Sequence, residues 1–272
     1  MPDIAVVQWD HGRLRVNAAF AGWLEQLHLT TWDAFAQLCG GTVYRRVGQR
    51  VTSRLVLGTG VLQRTVFLKR HGRLPWRERW KAWTRLQTPI WGARPEWDAL
   101  LQFHRLGIPT LTPIACGEEA GSSFLLTEAF EPSERLDHWL ANGRQSAGWT
   151  AAKRRLGRTL ARMVRQMHDA GWHHQDLYLC HILRPSHPAA ADQLHMIDLG
   201  RVQRHGRMGA RRWIIKDLAQ LNFSAQGASR ADRLRFLMTY LNRPLGARDK
   251  WLVRSILRKS ARIAAHTRKK GL

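Results

Sequence analysis

The stretch WHHQDLYLCHIL at residues 172–183, followed by LHMIDLG at residues 194–200, decides how the rest of the chain is read. The first reads as a loop, and the second as a short buried strand that ends in an acid and a glycine. Upstream, from Ala151 to Asp169, Leu156, Leu160, Met163, Val164 and Met167 recur at helical spacing, and Gly171 supplies the stop signal. A long helix therefore delivers the chain into a loop bearing Asp176, and a strand follows that ends at Asp198. From Lys216 onward helical patterns run to a basic C-terminus.

The first half has a different grain. Val43 to Val47 and Val51 to Leu57 read as strands joined by a turn at Gly48. Thr65 to Lys69 reads as a third strand, set off by Gly58 and Gly60. A helix is expected from Pro75, with Trp76, Trp80 and Trp83 on one face. Another begins near Pro95, carries Glu96, Leu100, Leu101 and Phe103, and stops at Leu106-Gly107. Two further strands are expected near Ile114 and at Ser123 to Thr127. The reading is an α+β chain of two lobes with a cleft between them: an extension over residues 1–40, a small antiparallel-sheet lobe over 41–130 and a mainly helical lobe over 131–272.

Composition narrows the partners. Over 272 residues, Lys plus Arg number 44 against 20 Asp plus Glu, an excess of +24. Such a chain is drawn to polyanions: nucleic acid, an anionic membrane or a phosphorylated substrate. Zinc-finger spacing and RNP-like strand motifs are not found, so no nucleic acid is expected. Cys39, Cys116 and Cys180 are scattered, which argues against a zinc site or a disulfide framework. Neither a secretory leader nor a bilayer-spanning run is read. Residues 69–94 hold eight Lys or Arg and one acid around Trp76, Trp80, Trp83 and Trp91. That segment is either a core-packed helix or one lying at a lipid headgroup surface.

Five residues in order suggest a chemistry: Lys69, Glu96, Asp176, His181 and Asp198. Phosphoryl transfer from ATP needs positive charge on the phosphates, metal to neutralise the transferred group, and a carboxylate to take up the proton of the attacking hydroxyl. Lys69 on a strand can reach phosphates if Glu96 on the next helix fixes it. Asp176 stands as the base, and Asp198 as the ligand of a bridging metal. Glu128, after the last strand of the first lobe, is added to the nucleotide-binding set. This order and spacing follow the protein-kinase signature of strand lysine, helix glutamate, H-x-D loop and D-x-G.

The match narrows further. H-x-D-x-Y-x-C-H-x-L, from His174 to Leu183, strongly resembles the lipopolysaccharide core heptose kinases and their Kdo-kinase relatives. LKR at 68–70, GARPEWDAL at 92–100, IDLGRVQ at 197–203, KDLAQLNFSA at 216–225 and DRLRFLMTYL at 232–241 are similar to the same family. The resemblance implies a bilobal protein-kinase-like fold, ATP and Mg²⁺, and phosphorylation of an inner-core heptose or Kdo of lipopolysaccharide. It further implies peripheral work at the cytoplasmic face of the inner membrane.

Three features depart from ordinary protein kinases. The first hairpin lacks G-x-G-x-x-G, so phosphate contacts there fall to backbone or to Arg45, Arg46 or Arg50. His181 stands where asparagine is usual, either as a metal ligand or as a partner of phosphate or Asp176; Mg²⁺ prefers oxygen. Gln175 replaces an arginine, so control by loop phosphorylation is not expected. Arg201, Arg204, Arg207, Arg211 and Arg212 follow Asp198 and are candidates for anionic groups of the acceptor; a solvated basic surface is the plainer alternative. His174 and Asp217 are expected to support the loop. The competing functions are a kinase with another acceptor, such as a protein tyrosine or a small molecule, and a non-catalytic basic binding module.

Overall fold

The structure is a computed structural model describing residues 3–73, 92–143, 148–187, 192–269 and 271. The helix expected from Pro75, with Trp76, Trp80 and Trp83, lies outside the described residues, as does Trp91. The chain divides into two compact units, Met1–Ala129 and Phe130–Leu272.

In the N-terminal unit, short stretches of alternating character become strands, and among the described residues three helices accompany them. The elements are β1 (Val6–Trp9), β2 (Leu14–Asn17), α1 (Ala21–Gln26), α2 (Trp32–Gln37), β3 (Thr42–Val47), β4 (Arg50–Leu57), β5 (Arg64–His71), α3 (Arg94–Arg105), β6 (Pro113–Glu119) and β7 (Ser122–Glu128). The strands form one antiparallel sheet in the order β1-β2-β6-β7-β5-β4-β3. Period-two alternation sends Leu55, Val66, Leu68, Phe124 and Leu126 to one face. There they meet Phe20, Trp23, Leu24 and Phe35 in a single core. Each such side chain, taken fully out of water, contributes roughly 1.5–3 kcal/mol.

Of residues 1–40, expected as an extension, those described from 3 onward are thus built into this unit. Leu14 and Val16 are fully buried, β2 pairs with β6, and Phe35 stacks on Phe124 with ring centroids 4.5 Å apart. The strand pair β3–β4 turns at Gly48, whose φ of +56° suits glycine. At Gly58 a side chain is excluded twice over: φ is +80°, and a Cβ would lie 2.5 Å from the Leu62 carbonyl oxygen. Helix α3 has Pro95 in its first turn and packs against β6 and β7. Its buried residues include Glu96, Trp97, Leu100 and Phe103.

The C-terminal unit holds β8 (Ser133–Arg135), α4 (Leu136–Asn142), α5 (Trp149–Asp169), β9 (Trp172–His173), β10 (Ile182–Pro185), β11 (His195–Met196), β12 (Gln203–Arg204), α6 (Arg207–Ser224), α7 (Arg230–Leu241) and α8 (Lys250–Lys269). Helix α5 buries Leu156, Leu160, Met163, Val164 and Met167, the stripe its spacing predicts. It packs on α7, while α6 packs on α8. The small Ser260 lets α8 come close, its Oγ donating to the Ala219 carbonyl at 3.0 Å. Strands β8, β10 and β11 make a three-stranded sheet, and β9 pairs with β12. These short ladders bracket the loop that carries Asp176 and the turn that carries Asp198.

Candidate active site

Within the N-terminal unit, strand register decides which side chain stands over α3. Lys69 lies opposite Leu125 and Thr52, on the face away from Leu68 and the main core. Its Nζ meets Glu96 Oε1 at 2.5 Å, and Arg50 Nη2 meets Glu96 Oε2 at 3.4 Å. The Glu96 side chain is 3% exposed and that of Lys69 14%. A carboxylate this buried requires cationic partners, and here two cations share it. The pair leaves the lysine held from one side, as an ammonium group that presents itself to phosphate must be.

Glu128 does not join this pair. It lies opposite Val66, on the core-side face at the end of β7, and its carboxylate accepts from Arg64 Nη1 at 2.9 Å. Its side chain is therefore removed from Lys69 by the alternation of the strand. Arg45 and Arg46 are exposed on the edge strand β3.

Within the C-terminal unit, the loop after α5 is held through its backbone. Asp217, fully buried on α6, accepts from the Gln175 amide through Oδ1 and from the His174 amide through Oδ2, each at 2.8 Å. His168 Nε2 lies 3.2 Å from the same Oδ2, and its Nδ1 lies 2.8 Å from the Tyr240 hydroxyl. Burial alone would raise the Asp217 carboxyl; the bond and charge of His168, the charge of His174 and the backbone amide hold it below the usual carboxylate range. One helical turn on, Gln220 Oε1 accepts from the Leu177 amide at 3.1 Å while its Nε2 donates to the Gln175 carbonyl at 3.1 Å. Another turn on, Ser224 Oγ accepts from the Leu179 amide at 2.9 Å. Positions 217, 220 and 224 share one face of α6, so a single helix pins the loop at residues 174, 175, 177 and 179. The spacing of Gln220 and Ser224 from Asp217 is the signal that sequence reasoning passed over.

His174 is buried and donates through Nε2 to the Ile197 carbonyl at 3.1 Å, tying the loop to the segment between β11 and Asp198. Burial pushes its pKa down. His181 Nδ1 lies 2.8 Å from the Asp176 carbonyl oxygen. Since a carbonyl only accepts, Nδ1 carries the proton and Nε2 is turned toward Asp198 Oδ2, 3.7 Å away. Burial opposes charge on this imidazole, but the Cys180 side chain, the Asp176 carbonyl and the Asp198 carboxylate outweigh it and raise its pKa to about 9. Asp198 itself has φ +58° and ψ +55°, a left-handed conformation that a non-glycine residue holds only at a cost.

The carboxylates of Asp176 and Asp198 are each 27% exposed. Of the five arginines proposed for the acceptor, Arg201 lies with Nη1 3.8 Å from Asp176 Oδ2. The other four are placed differently. Arg204 is exposed on β12, and Arg207 opens α6. The guanidinium of Arg211 lies 4.6 Å from the Trp251 ring centre, and that of Arg212 4.6 Å from that of Trp213. Among the described residues no group of three or more His, Cys, Asp or Glu is gathered to hold a metal ion.

An antiparallel sheet whose strand lysine is paired to a helix glutamate, in a chain whose helical half presents one part-exposed aspartate on an anchored loop and another on the turn after β11, is a protein-kinase-like phosphotransferase. Comparison with known proteins agrees and goes further. The profile of the Lipopolysaccharide kinase (Kdo/WaaP) family matches residues 33–240, a span that includes all five residues singled out above. A curated lipopolysaccharide core heptose(I) kinase WaaP from Pseudomonas aeruginosa is 38% identical over 241 residues, covering 85% of each chain. The one from Escherichia coli K12 is 33% identical over 261 residues, covering 89% of this chain and 97% of its own. A solved structure described as WaaP in complex with acyl carrier protein aligns with a TM-score of 0.62 at 32% identity, covering 98% of each chain. The chain belongs to the lipopolysaccharide kinase (Kdo/WaaP) family, and that family's chemistry uses ATP.

Proposed function

We propose that this protein transfers the γ-phosphate of ATP to a hydroxyl of an inner-core heptose of lipopolysaccharide. The observation that carries the reading is the 38% identity to a heptose(I) kinase over 85% of each chain. The buried Lys69–Glu96 pair and the anchored Asp176 loop support it. In this reading Lys69 holds phosphate oxygens while Glu96, itself bonded to Arg50, keeps it in place. Asp176 orients the sugar hydroxyl and takes its proton. Arg201, beside Asp176, meets an anionic group of the acceptor.

Mg²⁺ is the metal we assign. It takes one or two carboxylates together with substrate phosphates and water, so the part-exposed Asp198 fits it without a cage of protein ligands. Bound there, the ion would neutralise charge on the phosphates. His181 fits it less well, because Mg²⁺ prefers oxygen ligands. We assign His181 instead as a donor to a phosphate oxygen, its Nε2 facing the Asp198 side.

The same reading places the protein peripherally on the anionic cytoplasmic face of the inner membrane. The net charge of +24 supports this, and no described helix is long and apolar enough to cross a bilayer. Acyl carrier protein is a second partner, supported by the solved relative. An apolar cavity of about 590 Å³ in the helical unit, lined by Leu136, Trp139, Leu156, Leu160, Leu221 and Leu237 among others, has the chemistry an acyl chain needs.

The decisive experiment supplies labelled ATP and lipid A–core acceptor whose heptoses carry no phosphate, then maps the product by mass spectrometry. One added phosphate on a heptose is expected. Label found on Kdo, or on protein with none on the sugar, overturns the reading.

A further inference from the structure

Helix α8 carries Lys250, Arg254, Arg258, Lys259, Arg262, Arg268 and Lys269 and no aspartate or glutamate. All seven are exposed, and among the described residues none has an ion-pair partner. Elsewhere in this unit some cations are paired, although Arg154, Arg158 and Arg162 on α5 are exposed at the same spacing. Lys153 pairs with Asp232 at 2.7 Å, Arg155 with Asp192 at 2.9 Å and Arg243 with Asp249 at 2.6 Å. The apolar side of α8 is turned to the rest of the unit: Ile256 and Ser260 are buried, the helix packs along α6, and Val253, Ile256 and Leu257 line the apolar cavity described above. What faces outward is a line of Arg254, Arg258 and Arg262 at i, i+4 and i+8, a spacing at which like charges repel. At the head of the line stands Trp251, 50% exposed, with the Arg211 guanidinium 4.6 Å from its ring centre.

We propose that this outward face of α8 is the surface by which the protein lies on anionic phospholipid. A straight helix of 20 residues offers a row of cations about 30 Å long to a plane of headgroup phosphates. An indole at its edge, flanked by a guanidinium, suits the boundary between headgroup and acyl chain. The inference deepens the proposed function, in which the acceptor is carried on a lipid and has to be met at a membrane.

The test uses the full chain and sedimentation with phosphatidylcholine vesicles containing or lacking phosphatidylglycerol. Binding is expected with the anionic vesicles and to weaken as salt rises. The set Arg254→Gln, Arg258→Gln and Arg262→Gln is expected to lower the partition coefficient roughly a hundredfold, at about fivefold for each surface cation. Its turnover on delipidated, water-soluble core oligosaccharide should stay at the wild-type level. A matched set on α5, Arg154→Gln, Arg158→Gln and Arg162→Gln, should lose far less. Equal losses in the two sets would mean that net charge alone acts, and the assignment falls. It falls equally if the α8 set binds like wild type, or if wild type prefers duplex DNA to anionic vesicles. Should the α8 pattern hold while no sugar is phosphorylated, the proposed function is wrong and the docking face stands.

Discussion

Lys69 and Asp176 are both positioned closely, but by opposite means. Lys69 is held by its own counter-ion: Glu96 reaches it at 2.5 Å and is itself buried. Asp176 has its carboxylate partly open, with Arg201 3.8 Å away, and takes its place from the backbone around it. That backbone is bonded to Asp217, Gln220 and Ser224 on α6. The difference teaches something about what each group has to do. A cation that only binds can be fixed through its charged end with little loss, whereas a carboxylate that accepts a proton has to keep its oxygens for substrate. Damage should therefore spread differently: losing Glu96 frees one side chain, while losing Asp217 frees a loop.

The largest expected effect breaks the comparison if it fails. Asp176→Ala should lower turnover by about 10²–10⁴-fold, with the urea-unfolding midpoint unchanged, because no bond that holds the loop runs through this carboxylate. A variant that keeps more than a tenth of wild-type turnover would remove Asp176 from proton transfer. Asp217→Ala comes next and reverses the pattern. It strands the amides of His174 and Gln175 inside the protein, each left without an acceptor. A loss of about 3 kcal/mol in unfolding free energy is expected, with turnover falling even where the variant remains folded. If stability is intact, the anchor lies elsewhere.

Glu96→Gln tests the other half of the contrast. The amide still occupies the space but no longer attracts two cations. Turnover should drop about 10–100-fold with a raised KM for ATP, since a loosened Lys69 binds phosphate less well. A change in kcat with KM for ATP unmoved would argue that Lys69 does not contact the nucleotide.

A smaller effect distinguishes the buried histidines behind the loop. His173 is fully buried, and burial, together with the neighbouring charges of His168 and His205, pushes its pKa down to about 4. An unfolded chain has its histidine near 6.5. As pH falls below 6.5 the unfolded state takes up a proton that the folded state refuses, so stability declines until about pH 4 and then levels off. At pH 5 this amounts to about 2 kcal/mol. His173→Phe should remove that part of the slope, seen as a smaller difference between urea midpoints at pH 7 and pH 5. An unchanged slope would show that His173 is protonated in the folded protein.

How far the residues could be read before the structure depended on whether their partners were local. Lys69, the Gly48 turn, α3 with Pro95 and Glu96, and the long helix before Asp176 all carry periodic or capping signals within a short window. Strands β1 and β2 have four residues each and α1 and α2 six. Elements so short are stable only through packing on the sheet, which is why residues 1–40 read as an extension. Asp217, within KDLAQL, reads as an anchor of the catalytic loop. Gln220 and Ser224 do not, although they follow Asp217 at i+3 and i+7 on the same helix face, because a neutral polar side chain in a helical pattern does not by itself demand a partner.

Glu128 gives the smallest prediction and the sharpest check on strand register. As one of a nucleotide-binding set it would share the fate of Lys69 when removed. Its side chain lies on the opposite face of the sheet, however, paired at 2.9 Å with an Arg64 that is 45% exposed. Exposed pairs of this kind contribute about 0–1 kcal/mol. Glu128→Gln should therefore leave KM for ATP within about twofold of wild type and cost no more than about 0.5 kcal/mol. A tenfold rise in KM, with Lys69 and Glu96 untouched, would mean that the carboxylate leaves Arg64 when nucleotide binds. The alternation that separates residues 66 and 128 from residues 69 and 125 would then not describe the working state.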